Sequence, residues 1–167
     1  MHHPVKIKNA LVSVYYKDNL APLIQLLNKY GVTFYSTGGT EAFIREQGID
    51  VVPVEDLTSY PSILGGRVKT LHPKVHGGLL AVRTNEEHMN TVQTHEIGLI
   101  DMVIVNLYPF FAHANTDISL DDKVEFIDIG GPSRLRSGAK NFQSVAVITN
   151  VEDYALVQKE IEESGNT

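Results

Sequence analysis

Residues 9–54 read NALVSVYYKDNLAPLIQLLNKYGVTFYSTGGTEAFIREQGIDVVPV. The apolar run at its start has the composition of a short strand. Behind it, Leu20, Leu23, Ile24, Leu27 and Tyr30 recur at helical spacing. Asp18 is suited to cap that helix, and Gly31 stops it where helices favour glycine. A second cycle follows at once: a strand over 32–36, a Gly-Gly turn, and a helix over 40–47 closed by Gly48. A third strand is expected at 51–54. Strand–helix–strand units joined by short loops predict a parallel sheet with helices on both faces.

Outward from this stretch the rhythm breaks over 55–82, where Gly65, Gly66, Gly77, Gly78, Pro61 and Pro73 fall with little periodicity. Long loops in compact domains are functional or disordered, and this one carries too much Leu and Val for a linker. Regularity returns with a polar helix over 86–95. The strongest strand follows, Met102–Asn106, apolar on both faces as a buried central strand should be. An irregular stretch over 115–122 leads to a helix over 121–126. Gly130-Gly131-Pro132 starts another helix, with Pro132 in its first turn, running to Asn141. A strand over 145–148 and a helix over 152–163 complete the pattern. With no repeat and no linker, residues 1–167 are expected to form one α/β domain, a parallel sheet of about five strands flanked by helices.

The chain has 167 residues, 43% hydrophobic and 20% charged, which supplies a core and excludes a disordered chain. Its net charge of −6 and pI near 5.6 oppose general nucleic-acid binding, which needs a basic surface. An anionic ligand must therefore meet a local concentration of cations. The absence of cysteine excludes disulfides and a thiol nucleophile. No apolar run approaches the ~18 residues that span a bilayer, and Met1-His2-His3-Pro4 lacks the apolar core of a signal peptide. The expectation is a cytoplasmic protein with neither a membrane nor a nucleic-acid partner.

Ligands of open parallel sheets bind beyond the carboxyl ends of the strands. Ser13 and Lys17 follow the first strand, Thr37-Gly38-Gly39-Thr40 the second, and Asn106 and Tyr108 the fourth. Glycines admit a close approach, hydroxyls donate hydrogen bonds, and a helix start offers free N–H groups. The 37–40 run thus suits a phosphate, though alone it reads equally as a tight turn. It matches neither the Walker loop nor the Gly-x-Gly-x-x-Gly fingerprint.

The most unusual stretch is 65–78, where Arg67, Lys69, Lys74, His72 and His76 lie between glycine pairs. Alternation with Val68 and Leu71 would place Arg67 and Lys69 on one side of an extended segment; a solvated basic loop is the alternative. The spacing of His72 and His76 invites zinc. Pro73 between them disfavours a continuous helix, and no Glu follows His72, so no metal is expected. Tyr108 would share a side with Asn106, or serve only in packing. Asp128, between Ile127 and Ile129, is expected to be partly buried, which raises a carboxylate's pKa and improves it as a base; capping the next helix is its other reading. Lys140-Asn141 sits at the far end of that helix.

Taken together, the runs 36–40, 66–78, 106–110, 127–132 and 139–141 resemble the inosine-monophosphate (IMP) cyclohydrolase domain of bifunctional enzymes that also carry an aminoimidazole-carboxamide ribonucleotide (AICAR) transformylase. They occur in the family's order across about residues 10–155. The resemblance implies a Rossmann-like, methylglyoxal-synthase-like fold and the last step of de novo purine synthesis, closure of 5-formyl-AICAR to IMP with loss of water. It implies no cofactor, a purine nucleotide as ligand, and a homodimer. By motif position Lys69, Tyr108, Asp128 and Lys140 match the catalytic set. Ser13, Lys17, Thr37, Gly38, Gly39, Thr40, Arg67 and Thr70 match nucleotide and phosphate contacts, and Asn106 with the Ile129-Gly130 backbone matches base-side contacts. The first loop departs from the family's usual Ser-Val-Ser-Asp-Lys, reading Ser13-Val14-Tyr15-Tyr16-Lys17. None of the transformylase residues is present, so that activity is not carried over. A non-catalytic nucleotide- or phosphate-sensing module is the alternative. A triose-phosphate lyase is a third reading, but the 67–78 run is not its signature.

Overall fold

Apolar residues at alternate positions of short runs, too few for long helices, build a sheet that must be covered on both faces. The computed structural model describes residues 4–167. The Met1–His3 segment, read above against a signal peptide, lies outside the described residues. In chain order the elements are β1 (Asn9–Val14), α1 (Leu20–Lys29), β2 (Thr33–Ser36), α2 (Gly38–Glu46), β3 (Val51–Pro53), α3 (Val54–Thr58), α4 (Pro73–Leu80), α5 (Glu86–Thr94), β4 (Met102–Asn106), α6 (Phe110–Ala114), α7 (Leu120–Glu125), α8 (Gly130–Lys140), β5 (Ala146–Ile148) and α9 (Tyr154–Ser164). The strands pair in parallel in the order β3-β2-β1-β4-β5, the expected five-stranded sheet. No helix among the described residues is long and apolar enough to cross a membrane.

The two faces follow from alternation along the central strands. Ala10, Val12 and Val14 of β1, with Met102 and Ile104 of β4, pack against Leu20, Leu23, Ile24 and Leu27 of α1 and against Tyr154 and Ile161 of α9. Leu11, Val103 and Val105 point the other way, onto Val75 and Leu79 of α4. Each large aliphatic chain so buried contributes about 1.5–3 kcal/mol, which sustains a ten-residue α1 too short to persist alone in water.

Several local expectations are corrected. Asp18 does not cap α1: the preceding residue is Asn19, left-handed at φ 56°, with no side-chain cap, and the start is closed by Leu20 N–H donating to Lys17 C=O. The irregular 55–82 stretch contains α3 and α4. Pro73 opens α4, and the His72 ring accepts from Lys74 N–H at 3.1 Å as its cap. The glycines that hid this helix are what let it sit close: a Cβ on Gly78 would collide with the carbonyl of Gly98. Residues 67–70 form turns rather than an extended segment, so alternation does not set the sides of Arg67 and Lys69. The α6 helix was not foreseen. The last helix starts at Tyr154, after a 3-10 turn over Val151–Asp153. Asn141 lies just past α8, where its buried amide donates to Leu79 C=O at 2.8 Å and Ala81 C=O at 3.0 Å, fastening α8 to the end of α4.

At the amino-terminal rim of the sheet, Asp101 is 3% exposed. It accepts from the N–H groups of Lys8 and Asn9, each at 2.8 Å, and pairs with Arg83 at 2.7 Å. Removing one partner of a buried pair commonly costs about 3–5 kcal/mol. Asp101→Ala is expected to lower stability by about 3 kcal/mol or more in urea denaturation; a loss under about 1 kcal/mol would contradict this role.

Candidate active site

Parallel pairing brings all strand exits to one rim, and the loops there enclose a cleft of about 690 Å³. Every residue that the resemblance matched to a catalytic or ligand contact lines it except Lys140; His72, Lys74 and His76 do not. The cleft is thus built by the exits of β1, β2 and β4, the 65–70 turns, and the start of α8.

The β1 exit loop is clasped from both sides. Thr40, buried in α2, accepts from Val14 N–H at 3.1 Å and donates to Val14 C=O at 3.0 Å. Asn106, at the end of β4, accepts from the N–H of Tyr15 (2.6 Å) and Tyr16 (2.9 Å) and donates to Tyr16 C=O at 3.1 Å. The Asn106 carboxamide therefore positions the loop while lining the cleft. Thr40 likewise holds the loop with its hydroxyl.

The loop so fixed places the Lys17 ammonium 3.9 Å from where a Cβ of Gly39 would stand, over the first turn of α2. Gly38 there has φ +57°, a conformation that favours glycine. The Thr37 hydroxyl is buried without a hydrogen-bond partner. A cation, free helix amides and an unsatisfied hydroxyl converge as a phosphate requires.

Across the cleft, Lys69 folds back over Gly66; a Cβ there would lie 2.8 Å from its Cε. Among the described residues neither Lys17 nor Lys69 has a carboxylate within 4.0 Å. Arg67 pairs with Glu125 of α7 at the mouth, both side chains exposed. Tyr108 is half exposed, its ring edge-on to Tyr15 at 5.3 Å and to Phe126 at 6.5 Å. The bulky first loop thus supplies one aromatic neighbour of Tyr108.

Asp128 accepts from Gly131 N–H at 2.8 Å through Oδ1, so it does cap α8. Its Oδ2 has no hydrogen-bond partner among the described residues. Asp128 is partly buried as expected, but not by its neighbours: Ile127 and Ile129 are 51% and 52% exposed, because the turn before α8 directs both outward. Gly131 lets Asp128 fold in, since a Cβ there would collide with Oδ2 and with Leu107.

Lys140 is a correction. It ends the 11-residue α8, which at ~1.5 Å per residue sets it roughly 15 Å from the cleft, beside Arg136 and Ser137 in a separate groove. Sequence reading missed Arg134 instead. It is 5% exposed on the cleft wall, and its Nη1 donates to the Thr70 hydroxyl at 2.7 Å. One turn past Gly130 on the expected helix, its position was the available signal. Burial pushes the Arg134 guanidinium below its ordinary pKa, opposed by Asp128 and Tyr108.

Among the described residues no group of three or more His, Asp or Glu is placed to hold a metal ion. His72 caps α4, and His76 Nδ1 lies 2.8 Å from Ser137 Oγ of α8.

A parallel sheet with a cation-lined cleft at its carboxyl rim defines a class, and a family profile described as MGS-like domain matches residues 19–133; the chain belongs to that family. Within it, the chain is 54% identical over 159 residues to the bifunctional purine biosynthesis protein PurH of Clostridium acetobutylicum, covering 95% of this chain and 32% of that protein. The PurH of Fusobacterium nucleatum is 50% identical over 157 residues, 94% of this chain and 31% of that one. The chain therefore spans about a third of the length of these curated relatives. A solved structure titled "Crystal structure of ForH" superposes with a TM-score of 0.80 at 35% identity, covering 96% of this chain and 82% of that one.

Burial first, and then the charge of Arg134, lowers the pKa of His76 below its ordinary value. The folded protein then binds fewer protons here than the unfolded chain. This contribution to stability is complete above about pH 6.5 and is lost as pH falls through the lowered value. Thermal melts from pH 7 to pH 5 should fall less steeply for His76→Gln than for wild type; parallel slopes would refute the assignment.

Proposed function

We propose that this chain is an IMP cyclohydrolase domain, closing 5-formyl-AICAR to IMP. The observation that carries the reading is one cleft holding a phosphate cradle at the α2 start together with Lys69, Tyr108 and Asp128. The ~50% identity to proteins named for purine biosynthesis supports it.

In this scheme the 5′-phosphate binds the amides of α2, the Thr37 hydroxyl and Lys17. The formyl carbon and the carboxamide nitrogen are then held in contact, and such intramolecular placement can lower a barrier by several kcal/mol. The free Oδ2 of Asp128 takes one proton from the carboxamide nitrogen, which attacks the formyl carbon. Lys69 and Tyr108 donate hydrogen bonds to the formyl oxygen as it becomes an alkoxide. That oxygen leaves as water, taking one hydrogen from the carboxamide nitrogen and one from the formamido nitrogen, and the ring is closed. Lys140 has no part at this cleft. Arg67 must leave Glu125 to serve the ligand, a modest demand because exposed pairs are worth about 0–1 kcal/mol. The family resemblance extends the reading to a homodimer in the cytoplasm, with residues 1–167 as one catalytic domain.

Mixing the protein with 5-formyl-AICAR should change absorbance as the ring closes. Asp128→Asn and Lys69→Ala should each lower kcat by about 10²–10³, the usual cost of a lost transition-state partner. Near-normal turnover in both variants removes the scheme. Nucleotide binding without turnover by wild type would favour a sensing module.

A further inference from the structure

Arg134 has no role in the scheme above, yet it is the most buried cation of the cleft. Among the described residues no carboxylate lies within 4.0 Å of its guanidinium. Nη1 has one hydroxyl partner, Thr70, and Nε is buried with none. A guanidinium carries five donors, and a buried charge without a counter-charge is costly. Glycine at 130 lets the backbone approach the pair closely, since a Cβ there would stand 3.1 Å from Nη1 and 2.7 Å from the Thr70 hydroxyl, and the guanidinium lines the cleft. Its nearest charge in the cleft is Asp128, which lies beyond 4.0 Å, whereas Lys17 and the α2 amides are placed for the phosphate. The complement of this charge is therefore expected on the ligand, at the end that reacts.

We propose that Arg134 donates hydrogen bonds to the carboxamide oxygen of the substrate, a reading that rests on the cyclohydrolase function. When Asp128 takes the proton from the carboxamide nitrogen, the electron pair left behind is shared with that oxygen. A fixed guanidinium beside it stabilises the developing charge without giving up a proton. The oxygen survives closure as the 6-oxo group of IMP, so the contact persists in the product complex and can be read by binding alone.

The experiment compares IMP with purine ribonucleoside 5′-monophosphate, which has the same phosphate and ribose but no 6-oxygen, by titration calorimetry. Wild type should bind IMP at least about ten-fold tighter than the analogue. Arg134→Met should lose that preference while binding the analogue within about two-fold of wild type, and kcat should fall by about 10²–10³. Arg134→Lys, which keeps the charge and loses the planar fork, should retain part of the preference. Equal weakening of both ligands by Arg134→Met would reveal a merely structural role and overturn the proposal. So would a wild type that does not distinguish them. A wild type that shows the oxygen preference but never turns over 5-formyl-AICAR would sink the cyclohydrolase scheme and still support the Arg134 contact.

Discussion

The N–H and the C=O of Val14 are both held by the Thr40 hydroxyl, and the next two residues by the carboxamide of Asn106. Loops leaving a strand ordinarily have few such constraints. Here β1 is the central strand, with β2 on one side and β4 on the other, and its exit loop is tied by groups that follow or end both neighbours, Thr40 and Asn106. The placement of Lys17 above Gly39 and of Tyr15 against Tyr108 depends on that double clasp. The aromatic pair that departs from the family's usual first loop is accommodated because the ties are made by main-chain atoms. They leave the side chains at positions 15 and 16 free to differ.

The electrostatics of the cleft are set against those of the whole chain. A protein with net charge −6 would repel a phosphorylated ligand at long range. Lys17, Lys69 and Arg134 nevertheless stand on one concave surface, with no carboxylate among the described residues within 4.0 Å. Clefts walled by low-dielectric protein concentrate such fields, so a few cations suffice. Arg67, with its partner Glu125 at the rim, can be drawn in by a stronger anion.

The architecture was legible because parallel strands carry dense apolar runs and their helices carry periodic stripes; β1, β4 and α1 were readable for that reason. The cleft was legible through the rule that strand exits converge. What escaped had physical causes. The α4 helix is rich in glycine because its backbone packs against another, and that need erased its periodicity. The placement of Lys140 came from motif order alone, which says nothing of the length of helix between it and Asp128. Arg134 resembled any charged residue on a helix, since its burial arises from the 65–70 turns folding over it. The partial burial of Asp128 was legible but its source was not, because adjacent isoleucines enclose a residue only if the backbone turns them inward.

Both ends of α8 are fixed. Its start is capped by Asp128, and its finish is fastened to α4 through Asn141. Between them, a Cβ on Gly138 would stand 2.7 Å from Val147, so the helix lies nearly flush with the sheet. A rod held this way can neither tilt nor unwind when a charge appears near its first turn. Its amide dipoles answer such a charge as a fixed field, where solvent would have to reorient. The cost of orienting them was met when the chain folded, and little reorganisation remains for the reacting ligand to drive.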